Sequence, residues 1–248
     1  MENRNTYLLA HGFKDSVSNQ EVPLFFDTGS ETSFLAAEIH AAGKDLIWSR
    51  EKIPFPVHKG ILPEGIQGIL GLDFFQHTCI WWEGEYLSVY DAKSSVCQNP
   101  QAYFSTSLKL LVTKRIESYY YVKNVKNGKT FWSLVDTGTS LSFLPSEFEV
   151  GAESRGLKKV FHAGGRIQEI ELFYTSGPLQ FETSLGNSVS YFDFSFLRGI
   201  SLEQLHLPRE KDREGVWVIG LNLLGRAPLF WDFERNRIGL FSQTHEIK

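Results

Sequence analysis

The chain has 248 residues, 42% of them apolar and 14% aromatic, with 25 basic against 29 acidic side chains and a net charge of −4. That length suits one large domain or two lobes of about 100–150 residues each, and ordinary counts of 9 prolines and 21 glycines argue against disorder. The near-even charge balance, without a long basic block or a GxxxxGK[ST] loop, speaks against nucleic-acid partners and phosphate-loop nucleotide binding.

No apolar run approaches the roughly 18–20 residues that a membrane span needs, and the first eleven residues lack the charged and apolar regions of a signal peptide. A cytoplasmic protein is the simplest reading; a trimmed mature form, periplasmic or secreted, would look the same. Met1 is the only methionine, which favours an initiator placed ahead of a trimmed chain. Cys79 and Cys97 are too few for a metal site or a disulfide framework; they are open to a single bridge or to two free thiols, the thiols being favoured in the cytosol. The seven histidines are scattered without paired ligand spacing, so a zinc site is not expected.

In chain order, Tyr7 to Phe13 reads as a strand, residues 14–20 as a turn, and Val22 to Phe26 as the returning strand. It runs straight into Asp27-Thr28-Gly29-Ser30. Ala36 to Ala42, ending at Gly43, predicts a short helix. Pro54 and Pro56 sit badly in a ladder, so residues 44–62 predict no hairpin of useful length. Gly68 to Phe75 is an apolar stretch with a central glycine, followed by an aromatic, charged hairpin over 80–90. Further on, Tyr119 to Val125 leads into Asn127-Gly128, a strong short-range turn signal, and Thr130 to Val135 returns into Asp136-Thr137-Gly138-Thr139. A short helix is predicted to start near Pro145. Residues 159–174 read as two extended arms around a Gly164-Gly165 tip, with Ile170, Leu172 and Tyr174 alternating with Glu169 and Glu171. The charged stretch from Pro208 to Gly215 mixes signs and predicts a solvated loop, with a processing or partner site as the alternative. Trp217 to Leu224 and a hairpin over 230–241 close the chain; Trp81, Trp82 and Trp231 fall in the closing strands and predict core, not a ligand platform.

These elements form a repeat. Shifted by 109, residues 25–35 lie over 134–144 with six of eleven positions identical, and Gly68 to Phe75 lies over Trp217 to Leu224. Each half therefore runs strand, strand, Asp-Thr-Gly, helix, further strands, apolar-apolar-Gly, closing hairpin. One Asp-Thr-Gly is a weak signal; two in matching contexts mark a duplication. An apolar strand ending in Asp, Thr and Gly presents a carboxylate at the rim of a core, with glycine allowing a tight turn and the threonine hydroxyl bonding back inward. If the halves pack about a pseudo-twofold axis, Asp27 meets Asp136. Two carboxylates in contact cannot both ionise easily, so they share a proton. One can then act as general base on a water while the other donates to a carbonyl.

On these residues the sequence resembles the pepsin and retropepsin-like aspartic proteases, from about Tyr7 to Phe241. The resemblance rests on the two Asp-Thr-Gly tetrapeptides and the paired Ile69-Leu70-Gly71 and Val218-Ile219-Gly220. It implies an all-β, two-lobed acid-protease fold with a few short helices, the lobes spanning 1–100 and 101–248. Asp27 and Asp136 would be the catalytic pair, Thr28 and Thr137 a cross-lobe hydroxyl grip, Gly29 and Gly138 the turns, and Ser30 and Thr139 supports for the carboxylates. The implied activity is aspartic endopeptidase hydrolysis without metal or cofactor. The partner would be a polypeptide bound extended to a monomer by strand-like hydrogen bonds. The sequence departs from the pepsin pattern in one respect: Ser30 to Leu70 spans only 41 residues against 81 from Thr139 to Ile219. The second half is therefore expected to carry the flap, with Ala163, Gly164 and Gly165 at its tip; an ordinary outer strand pair is the alternative. Two alternatives to a working endopeptidase remain: an inactive pseudoprotease that binds peptides, and a protease active once on its own precursor.

Overall fold

The computed structural model describes residues 8–37, 39–40, 42–48, 51–59, 62, 65–83, 86–104, 108–161, 167–199 and 217–241. The candidate flap tip (Ala163, Gly164, Gly165) and the charged stretch 208–215 lie outside them. The duplication is written into the strand order. One sheet runs Leu9–Ala10, Leu24–Phe26, Gly68–Leu70, Phe34–Ala36, Val57–His58. Inside the ten-stranded sheet the succession Tyr119–Lys126, Lys129–Val135, Trp217–Ile219, Phe143–Leu144, Phe194–Arg198 repeats it. The senses agree step by step: antiparallel, parallel, antiparallel, parallel.

The closing hairpins join the lobes. Thr78–Glu83 of the first pairs antiparallel with Leu229–Asp232 of the second, in a five-stranded sheet that also holds Tyr86–Asp91, Arg237–Phe241 and Leu108–Leu110. Trp231 is fully buried there, Trp82 nearly so, and Trp81 stacks on Phe104 at 4.2 Å, so these rings are core. Asp232 is also fully buried, a costly position for a carboxylate unless it is paired. Arg237 and Arg235 supply the charge at 2.6 and 3.4 Å, and both carry on to first-lobe carbonyls, Cys97 O and Ala92 O.

Strand parity decides what each lobe buries. Leu24 and Phe26 enter the main core, while Phe25 between them points to the other face, against Ile66 and Ile69. In the second lobe Val135 enters the main core, and Leu134 points to the other face, against Val218 and Phe143. Each aspartate is two residues beyond Phe25 or Leu134, on the face opposite the main core.

Several local expectations hold. Asn127 and Gly128 both have positive φ, +50° and +74°, as a tight hairpin turn requires, and Ser146–Phe148 forms a single 3-10 turn. Others are corrected. The helix expected over 36–42 is a turn among the described residues: Ala36 ends a strand, and Ile39 and His40 both donate to its carbonyl. The strand expected over 7–13 is reduced, among the described residues, to Leu9–Ala10, interrupted near Gly12 at φ +87°, and a second short strand, Lys14–Asp15, stands where the turn over 14–20 was expected to begin.

The first lobe does hold a hairpin after its Asp-Thr-Gly, Lys44–Trp48 with Glu51–Phe55. Pro54 is tolerated because its strand lies at the edge of a three-stranded sheet, where a missing N–H spoils no second ladder. Trp48, before the tip, stacks on Phe13 at 5.8 Å and meets Phe74 edge-on at 5.2 Å, which holds this hairpin on the lobe's own aromatic cluster.

Cys79 and Cys97 form a disulfide rather than two thiols, with Cα atoms 5.7 Å apart and both residues fully buried. It ties the first closing strand to the helix Ser95–Gln98. A crosslink over 18 residues stabilises by about 3 kcal/mol if chain entropy dominates. Reduction should therefore lower the urea unfolding midpoint by an equivalent amount; an unchanged midpoint, with thiols titrating in the native protein, would contradict the bridge.

Candidate active site

The two Asp-Thr-Gly turns meet between the lobes, locked by their threonines. The backbone N–H of Thr28 donates to the Thr137 hydroxyl at 3.0 Å, and the N–H of Thr137 donates to the Thr28 hydroxyl at 3.0 Å. Each hydroxyl then donates to the strand of the opposite lobe: Thr28 to Val135 O at 3.1 Å, Thr137 to Phe26 O at 3.0 Å. Both threonines are buried, and their hydroxyls donate once and accept once without water.

Above this lock each aspartate is held by its own turn. The N–H of Gly29 donates to Asp27 Oδ1 at 2.8 Å, and that of Gly138 to Asp136 Oδ1 at 2.7 Å. The glycines are required by close approach, not by an unusual φ. A Cβ on Gly29 would lie 2.8 Å from Asp136 Oδ1, and one on Gly138 would collide with the Asp27 carboxylate. The Ser30 and Thr139 hydroxyls donate to their own loops, at Thr32 O and Leu141 O, instead of to the aspartates. Ser30 reaches Asp27 through its backbone, its N–H donating to the Asp27 carbonyl at 3.2 Å.

The apolar-apolar-Gly strands run behind both turns, and a further pair of residues fastens them. Ser33 donates from N and Oγ to Asp73, at 2.9 and 2.6 Å to Oδ1, and accepts from Gly71 N at 2.9 Å. Ser142 repeats the pattern with Asn222 Oδ1, at 2.8 and 2.8 Å, and accepts from Gly220 N at 3.0 Å. Ser33 and Ser142 are identities of the sequence repeat, which by itself assigns them no role. The signal was available, since Asp73 and Asn222 each fall two residues after the repeat's central glycine. Asn222 also donates to Ser195 O at 2.7 Å, a bond its carboxylate counterpart could not make.

The two carboxyls are hydrogen bonded to each other. Burial, then the charge of Asp136, pushes Asp27 well above the usual carboxylate range; burial also raises Asp136, against donors from Gly138 and Asp27. Asp27 is pushed further, yet the two surroundings are nearly twofold copies, so the proton belongs to the pair and not to one member. Such an arrangement offers a base and an acid at one point, fixed on rigid strands.

Solved structures with a similar fold include an aspartic proteinase from Irpex lacteus, at a TM-score of 0.61 and 14% identity, covering 98% of this chain and 96% of that one. Basic 7S globulin from soybean aligns at a TM-score of 0.53 and 11% identity, over 97% and 93% of the two chains. No protein-family model and no curated protein sequence matches the chain. The fold is thus the two-lobed, all-β fold of the pepsin-like aspartic proteinases.

The raised carboxyls make a testable contribution to stability. A group whose pKa is higher folded than unfolded supports the fold below its unfolded value, near 4, and loses that support as pH rises through the folded value. Asp27→Asn removes the loss. The variant should melt above the wild type at pH 7–8, and the gap should close below about pH 4. Melting curves recorded from pH 3 to 8 check this; parallel curves would contradict the raised pair.

Proposed function

We propose that the protein is an aspartic endopeptidase that hydrolyses peptide bonds with a water activated by Asp27 and Asp136. The observation that carries this reading is the carboxyl pair itself. Each acid is packed against the other lobe's glycine, and the two are hydrogen bonded. The ionised member takes a proton from water as its oxygen attacks the carbonyl carbon, while the protonated member gives its proton to the carbonyl oxygen. Collapse of the tetrahedral diol passes a proton to the leaving amine and regenerates the shared state. Thr28 and Thr137 hold the geometry, Gly29 and Gly138 admit it, and no metal or cofactor is required. The lobes are taken as 1–100 and 101–248, with an extended polypeptide lying between them.

Peptide-library digestion between pH 3 and 7 tests the reading. Turnover should follow a bell-shaped pH profile and stop with a statine-type inhibitor. Asp27→Asn and Asp136→Asn should each lower it by roughly 10²–10⁴-fold or more. Cleavage that survives in either variant would sink the dyad assignment, and absence of cleavage at every pH would favour a peptide-binding module without turnover.

We also propose that the hairpin Glu153–Phe161 with Ile167–Thr175 covers the site. In support, its arms place Val160, Ile170 and Leu172 against the apolar cluster that holds Leu134 and Val218, on the same face as Asp136. A first-lobe cover is less favoured because Trp48 is committed to Phe13 and Phe74. Substituting Gly164 and Gly165 with valine should cripple turnover and leave the melting temperature nearly unchanged; full turnover would remove the hairpin from the mechanism.

A further inference from the structure

The two active-site loops are copies in backbone but not in charge. Leu72 and Leu221 donate to Ser30 O and Thr139 O, both at 2.9 Å, and one residue later Asp73 and Asn222 donate to Glu31 O and Ser140 O at 3.1 and 3.2 Å. Residues 31 and 140 therefore leave matched, pinned points of the two loops, four residues past each aspartate. One is a glutamate, the other a serine. Glu31 is exposed, and no cation pairs with it among the described residues.

The second lobe brings Tyr119 towards this point. Tyr121 pairs with Leu134 across the antiparallel hairpin. Tyr119 lies two residues before Tyr121 on the same strand, hence on the same face, and packs against the cluster that holds Tyr121 and Leu134. Among the described residues the Tyr119 hydroxyl has no hydrogen-bond partner. Burial, then Glu31, Tyr121 and both aspartates, pushes it up to about 12, so it stays a neutral phenol within electrostatic reach of Glu31. The neighbouring cation, Lys114, is engaged over the rings of Trp132 and Tyr121, at 4.6 and 5.7 Å.

We propose that Glu31 is a specificity-determining residue which, with the ring and hydroxyl of Tyr119, takes the ammonium or guanidinium group of a lysine or arginine in the bound peptide. The assignment rests on the peptidase reading of the cleft. A cation finds there a carboxylate acceptor, a phenol oxygen and an aromatic face, a combination suited to both head groups. Because the pseudo-twofold relates the two sides of the scissile bond and Ser140 is uncharged, the preference falls on one side only.

The test uses otherwise identical octapeptides carrying lysine or norleucine at each of the two positions on either side of a central apolar pair. The lysine peptide should be favoured roughly tenfold in kcat/KM at one position on one side. In Glu31→Gln that ratio should fall towards one. In Glu31→Lys a glutamate peptide should outrun the lysine peptide, a reversal that a merely structural role would not produce. Tyr119→Phe should weaken the preference without reversing it. A lysine-to-norleucine ratio equal in wild type and Glu31→Gln, or a preference shared by both sides, would overturn the proposal. If the wild type cleaves none of the peptides, the peptidase reading fails separately. Fluorescence anisotropy with the labelled peptides then decides the subsite: lysine-selective binding lost in Glu31→Gln upholds it, and indifferent binding overturns it.

Discussion

Two threonine hydroxyls, each accepting a backbone N–H from the other lobe and donating to a carbonyl of the other lobe's strand, are the constraint on which the rest depends. Four bonds of 3.0–3.1 Å join residues 107–111 apart in sequence, in a buried place where a lost partner would leave an unsatisfied polar group. They bring the two turns so close that only glycine fits beside each opposing carboxylate. Once that distance is imposed, the two acids cannot both ionise, and a shared proton follows from electrostatics alone. The chemistry proposed for the protein is a consequence of how the lobes are locked.

The remainder of the molecule serves that lock at two ranges. Close in, Ser33 with Asp73 and Ser142 with Asn222 fasten the strands behind the turns. Farther out, the shared five-stranded sheet and the buried Asp232 with its two arginines hold the lobes at a fixed distance. The twofold relation is strict only near the aspartates. Beyond them the second lobe adds a hairpin of two nine-residue strands and further strands, while the first is reduced to a small sheet and a short hairpin lying on its aromatic cluster. The loops nearest the acids differ in one charge, Glu31 against Ser140, and asymmetry of that kind suits a polar substrate chain that is itself directional.

The repeat was legible because its carriers are short and covalently local. Asp-Thr-Gly, the apolar-apolar-Gly strands and Asn127-Gly128 each state a backbone requirement within a few residues, and all were read correctly as elements. What misled was local preference opposed by a distant partner. Ala36 to Ala42 is rich in helix formers, but Ala36 is drawn into a strand paired with Val57–His58. Pro54 argues against a ladder, but the edge of a three-stranded sheet excuses it. Cys79 and Cys97 showed no pairing signal, since what joins them is the docking of a helix against a strand.

By itself, then, the sequence determined a duplicated all-β chain with one acid at the end of a matching apolar strand in each half. Alternation within those strands also determined which neighbours go inward, since successive side chains must point to opposite faces. Only the tertiary structure decided that the two acids touch, that the threonines trade bonds across the lobes, and that Tyr119 comes round towards Glu31. Those relations join residues roughly 90–110 apart, and no local pattern encodes a distance that only the packed interface between two lobes can set.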